Sequence, residues 1–135
     1  LTLYKMKRLL LFLMLFITIS AYAINTHQHM YIGYAYSQKI YNENTKTWSK
    51  WSSIVPTTVK IIVDYGENII IIFSNKIQLY KIIDKETILL KDDISYKMTV
   101  VDIEGDNALI TLYNKQLYIE YVNLMWVYNL KQIAL

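Results

Sequence analysis

Apolar and polar positions are ordered most clearly between residues 59 and 83, VKIIVDYGENIIIIFSNKIQLYKII, where three apolar runs (59–64, 69–73 and 77–83) are separated by two short polar breaks. Gly66 and Asn68 in the first break, and Ser74 and Asn75 in the second, suit chain reversal. Glycine tolerates positive φ, and short polar side chains bond their own backbone. The pattern predicts two consecutive hairpins. Residues 69–73 are apolar at every position, so both faces of that strand are expected to be covered, with Ile71 in the core. Exposed, such a branched, uncharged and proline-free run would be prone to aggregate.

Weaker versions of the pattern fill the rest of the chain. Residues 30–41, MYIGYAYSQKIY, predict a long strand with Met30, Ile32, Tyr34, Tyr36 and Ile40 on one face, interrupted by Gln38. Gly33 and Ala35 on the other face permit a sharp bend or the close approach of another backbone. Residues 42–46 are a polar connection, and a short strand over 52–55 is expected to end at or border Pro56, which lacks a donor. Residues 85–93 read as a brief strand or one helical turn. Strands are expected over 96–103, 108–113 and 116–121, with turns at 104–107 and 114–115. A last strand over 125–130 pairs back to close the sheet, leaving 131–135 as a frayed tail. Eight to ten short strands, with no amphipathic helix after the N-terminal segment, predict an all-β domain. The expected architecture is a small antiparallel meander barrel, partly open, with a β-sandwich as the alternative.

The first 23 residues, LTLYKMKRLLLFLMLFITISAYA, break this pattern. Lys5, Lys7 and Arg8 form a basic head, residues 9–19 are apolar apart from Thr18, and Ala21-Tyr22-Ala23 has the small-x-small spacing of a signal-peptidase site. A signal-peptide helix is therefore expected over residues 1–23 and a single β-rich domain over 24–135. A retained anchor is the alternative, and the apolar run is short of the roughly 20 residues that span a bilayer. Met6 reads as the natural start, with Leu1 to Lys5 upstream of it.

Cleavage after Ala23 changes the charge balance. It takes 23 residues from 135 and leaves 112, and the three charges lost are all basic, so 14 Lys and Arg against 11 Asp and Glu become 11 against 11. The net positive charge thus belongs to the targeting segment. Nothing electrostatic is left to recommend a nucleic-acid partner, and membrane contact is expected only through the signal peptide. The chain has no cysteine, which excludes disulfides and a lipid-bearing Cys after the cleavage site. Periplasm, cell surface and medium all remain as destinations for an exported chain.

Candidate chemistry is sparse. His27 and His29, the only two histidines, would point the same way on an extended segment, but two ligands are too few to close a metal site, and a solvated tail is expected. Asp92-Asp93 diverge if extended and read as loop. Asp102, Glu104 and Asp106 alternate as in a calcium loop, but Gly105 comes one position early and Tyr113 stands where the closing Glu belongs. Trp48 and Trp51 are the most suggestive aromatic pair, since flat indoles stack on sugar rings or lipid chains. Three apart on a strand, they are expected on opposite faces, unable to form one platform without a bulge. With Tyr34, Tyr36 and Trp126 they make up the candidate ligand-binding side chains. No cofactor is expected.

The signal peptide, the compact hairpins and the closing YIEYVNLMWVYNL (118–130) resemble small exported proteins of Bacteroidetes and their phages that have no assigned activity. The meander is also loosely similar to the lipocalin and fatty-acid-binding group, which implies a ligand held inside the barrel. The lipocalin Gly-x-Trp is absent, Gly33 being followed by Tyr34 and Ala35. Taken together these observations predict an exported, non-catalytic binding or interaction module whose partner is an unidentified protein or a small apolar ligand. A carrier barrel is the first alternative, and a hydrolase or metal-binding protein using His27 and His29 the second.

Overall fold

The structure, a computed structural model, describes residues 5–8, which are helical, and residues 27–133. Apart from that helical turn, the signal peptide expected over 1–23 and its cleavage site lie outside the described residues. Nine strands follow: β1 (Gln28–Asn42), β2 (Thr47–Trp48), β3 (Val55–Asp64), β4 (Ile69–Phe73), β5 (Ile77–Leu90), β6 (Asp93–Asp102), β7 (Asn107–Tyr113), β8 (Gln116–Glu120) and β9 (Leu124–Ile133).

From β3 to β9 each strand pairs antiparallel with the next. β9 then returns to β1, from Met30↔Ile133 to Ile40↔Leu124, while the first half of β1 pairs with β3. The result is a closed eight-strand meander barrel with β2 as a short flap on the end of β1, closed rather than partly open. Closure leaves the barrel wall without a free edge except along residues 84–90 of β5, which pair only with β6. The turns use the residues the sequence offered. Asn68, Asn114 and Gly105 all take positive φ, and the Asp64 carboxylate accepts the Gly66 and Glu67 amides, both at 2.9 Å, to fix the β3–β4 reversal.

The barrel interior is filled. Ile61, Val63, Ile70, Ile72, Met98, Ile110, Leu117 and Ile119 are fully enclosed at 0% exposure. Ile71 is not among them: in register with Ile62 and Leu79 it sits half-buried on the outer wall, and Phe73 is 40% exposed. A barrel wall has one dry face, so a run of five apolar residues needs only alternate members inside.

Two bulges aim the side chains that matter below. In β1 the register shifts between Gly33 and Ala35. Tyr31 and Gly33 face inward before the shift, and Tyr36 faces inward after it, opposite Tyr128. The expected single alternation through residues 30–41 therefore fails at its midpoint. A β-carbon on Gly33 would stand 2.8 Å from Val59 Cγ2 and 3.3 Å from Tyr128 Cδ1, so the close approach of these side chains beside the bulge calls for a glycine. In β5 the shift lies between Ile82 and Asp84.

Three other expectations change. Residues 85–90 continue β5 into a long hairpin with β6, and residues 131–133 belong to β9 and are not a tail. Residues 49–54 form no strand, and Pro56 lies inside β3 near its start, where a missing donor is tolerated. Residues 49–52 run beside β1 and complete its hydrogen bonds through serines: Ile40 N–H donates to Ser49 Oγ, and Gln38 N–H to Ser52 Oγ, each at 2.9 Å.

Candidate functional site

The strongest candidate lies at the mouth of the barrel formed by the 74–76, 103–106 and 121–123 turns. Inward-facing aromatic residues from the strand ends gather there: Tyr36 on β1, Tyr80 on β5, Tyr121 after β8, and Trp126 and Tyr128 on β9. Trp126 borders two adjoining hollows. One, of about 420 Å³, is also lined by Tyr36, Gln78 and Tyr128, and the other, of about 480 Å³, by Tyr80, Asp102 and Tyr121. The Tyr121 and Trp126 rings stack at 15° with centroids 5.7 Å apart, and Tyr36 meets Tyr128 at 6.2 Å.

Polar side chains tie these rings together. Gln78 is the centre on one side: its Oε1 accepts from the Tyr80 hydroxyl at 2.7 Å, while its Nε2 donates to Ser74 Oγ at 3.1 Å and to the Tyr128 oxygen at 3.4 Å. Asp102 is the centre on the other. Its Oδ2 accepts from the Tyr121 hydroxyl at 2.7 Å, and its Oδ1 from the amides of Glu104 and Asp106 at 3.0 and 2.9 Å. One carboxylate thus shapes the β6–β7 turn and orients a ring in the mouth.

These environments set the charges. The Tyr121 hydrogen bond, reinforced by backbone amides, holds the Asp102 carboxyl below the usual carboxylate range. Burial pushes the Tyr80 phenol up to about 12, and burial followed by the bond to Asp102 pushes Tyr121 higher still. Burial raises Tyr128 as well, against the opposing bonds from Gln78 and Trp126. Every shift is directed away from neutrality. At pH 7 the site therefore offers neutral phenols, an ionised carboxylate already engaged, amide donors and acceptors, and ring faces, an array suited to holding a ligand.

The five candidate aromatic residues separate into three places. Tyr36 and Trp126 come together in this mouth. Tyr34, 52% exposed, is the extra residue of the β1 bulge and borders the opposite mouth. Trp48 and Trp51 lie on the outer wall and face the same ammonium, with Lys39 Nζ at 5.5 and 4.8 Å from their ring centroids. The expectation that they face opposite ways assumed one continuous strand, whereas β2 ends at Trp48 and Trp51 belongs to the serine-bonded segment, where it meets Tyr118 edge-on.

His29 is part of β1, packed edge-on against Tyr65 at 5.6 Å, and His27 precedes the strand, its carbonyl accepting the Tyr65 amide. Among the described residues no group of three or more His, Asp or Glu gathers at metal-binding distance. Gln78, Tyr80, Tyr121 and Tyr128 were not candidates from the sequence, and Asp102 entered only in the calcium-loop pattern that failed. Gln78 carried a usable signal, since it is a polar residue on the same alternation as Tyr80 and Ile82. Comparison with family models, curated proteins and solved structures returns no match to this chain.

Proposed function

We propose that the chain is an exported, non-catalytic binding module that takes a small saccharide at the mouth built around Trp126. The observation carrying this reading is the position of the indole, which borders two open hollows with fixed polar groups beside it, Gln78 lining both and Asp102 the second. A sugar ring has an apolar C–H face and an edge of hydroxyls. Stacked aromatic residues bounded by oriented donors and acceptors complement both features. The filled interior favours this mouth over a carrier cavity inside the barrel, so the likeness to the lipocalin group enters as connectivity alone. Export rests on the basic head, apolar run and small-x-small site of residues 1–23.

The test is a glycan array probed with the wild type and with Trp126→Ala. Binding to a defined set of glycans, lost in a variant that still melts cooperatively, supports the proposal. An array with no signal, or one unchanged by the substitution, refutes it. Edman sequencing of protein recovered outside the cytoplasm separately tests export, the expected first residue being Ile24.

A further inference from the structure

The opposite mouth contains a lysine held by rings. After the β5 bulge, Lys85 pairs with Met98, a core residue, and so shares its inward face. Its Nζ lies 4.3 Å from the ring centroid of Tyr65 and 5.4 Å from that of Tyr96. These two rings are tilted 49° to one another at 5.5 Å, and His29 backs Tyr65. Among the described residues no carboxylate lies within ion-pair distance of Lys85. The charge is held by the negative faces of aromatic rings.

Two further observations point to a ligand at this cage. A hollow of about 610 Å³, lined by Tyr31, Tyr34 and Leu112, shares the Tyr96 ring with it. The Tyr65 hydroxyl, moreover, is buried with no hydrogen-bond partner, although buried polar groups are ordinarily paired. Burial, followed by the neighbouring Tyr31 and Tyr96 phenols, pushes the Tyr65 pKa up, so its ring stays neutral and keeps its hydroxyl proton to donate.

We propose that this cage is a second binding site, for the quaternary ammonium group of a small organic cation, with Lys85 as its tethered occupant. A primary ammonium is strongly hydrated and gives up water reluctantly. A trimethylammonium group has no N–H donors to leave unpaired, spreads its charge over methyl surfaces, and fits the same ring faces better. Lys85 is exposed overall, so its side chain can swing out as the ligand enters, and the hollow beside Tyr96 accommodates the rest of the molecule.

Choline is the probe, titrated into wild type, Lys85→Ala and Trp126→Ala while the ring resonances of Tyr65 and Tyr96 are followed by NMR. The expected result is saturable binding in all three, about tenfold tighter in Lys85→Ala, where no tethered competitor must be displaced. The neutral carbon isostere of choline should not bind. A Lys85→Ala protein that melts cooperatively yet binds no choline overturns the proposal. So does equal binding of the neutral isostere, or binding confined to Lys85→Ala, which would mark a cage permanently shut in the natural protein. Sedimentation with phosphatidylcholine vesicles, competed by free choline, identifies a lipid headgroup as the source of the ammonium; choline binding without sedimentation identifies a free small cation. Retention of choline binding in Trp126→Ala separates this site from the proposed saccharide mouth.

Discussion

The two mouths of the barrel are built from the same residue type and solve opposite problems. At the Trp126 mouth the phenols of Tyr80, buried, and Tyr121, half-buried, have partners, Gln78 and Asp102, each reached at 2.7 Å. At the other mouth the Tyr65 hydroxyl is buried without a partner, and the Lys85 ammonium meets ring faces with no described carboxylate in ion-pair range. Tyrosine serves as a hydrogen-bonding group in one place and as a π surface in the other. The difference comes from what the neighbouring strands contribute: an amide and a carboxylate on inward positions of β5 and β6 at one end, a lysine placed inward by a bulge at the other.

The largest expected effects come from the wall that holds the mouths apart. Ile72→Asp buries a carboxylate at a position with 0% exposure, so cooperative melting and soluble yield should be lost, since an unpaired buried charge costs several kcal/mol. Ile71→Asp, one residue along on the outer wall, should melt cooperatively with a loss of no more than about 2 kcal/mol. Equal damage from both would mean that the inward and outward faces of β4 are misassigned. Gly33→Ala follows in size: the new methyl meets Val59 and Tyr128, and overpacking of this kind costs about 1–3 kcal/mol. The β1 bulge sends Tyr31 to one mouth and Tyr36 to the other, so ring resonances at both ends should shift. Changes confined to one end would show that the bulge does not couple them.

The alternation made the strands and the tight turns legible, because each depends on neighbours in sequence; the return of the last strand to the first was inferred only from the need to cover sheet edges, and its full closure was not. Register across the bulges was not legible. Gly33 marked a bend, but whether Tyr34 or Tyr36 turned inward depended on where β9 placed Tyr128. The sites were hidden for the same reason: Tyr36 and Trp126, or Tyr65 and Lys85, meet only when the barrel closes. Trp48 and Trp51 attracted attention as neighbours in sequence, yet closure left them on the outer wall clamping Lys39.

Removing one hydroxyl from each mouth sharpens the comparison further. Tyr80→Phe deletes the donor to Gln78 and leaves that amide short of a bond, for an expected loss of about 1 kcal/mol in urea denaturation. Tyr65→Phe deletes a buried hydroxyl that has no partner, so the same substitution should be neutral or stabilising by up to about 1 kcal/mol. Losses of similar size would mean that Tyr65 is bonded in solution and that the mouths are alike.

The smallest effect separates the mouths by pH. Alkali does not distinguish them: Tyr65 and Tyr80 both have raised pKa values caused first by burial, so each end contributes stability that is present below the unfolded phenol pKa and lost as pH rises through the folded one. Acid does distinguish them. Asp102 has its folded pKa lowered, chiefly by the Tyr121 hydroxyl, so its contribution is complete above the unfolded value near 4 and disappears as pH falls through the folded one. Tyr121→Phe removes the main cause of that shift. The variant should melt below the wild type at neutral pH, and the gap should close as both are acidified, leaving only the cost of the lost hydroxyl's packing. A gap that stays constant as pH falls through the carboxylate range would assign the loss to the hydroxyl's packing and solvation, not to its bond with the ionised Asp102. Asp102 would then be a turn-forming residue that happens to lie beside the mouth, with no part in orienting the aromatic pair.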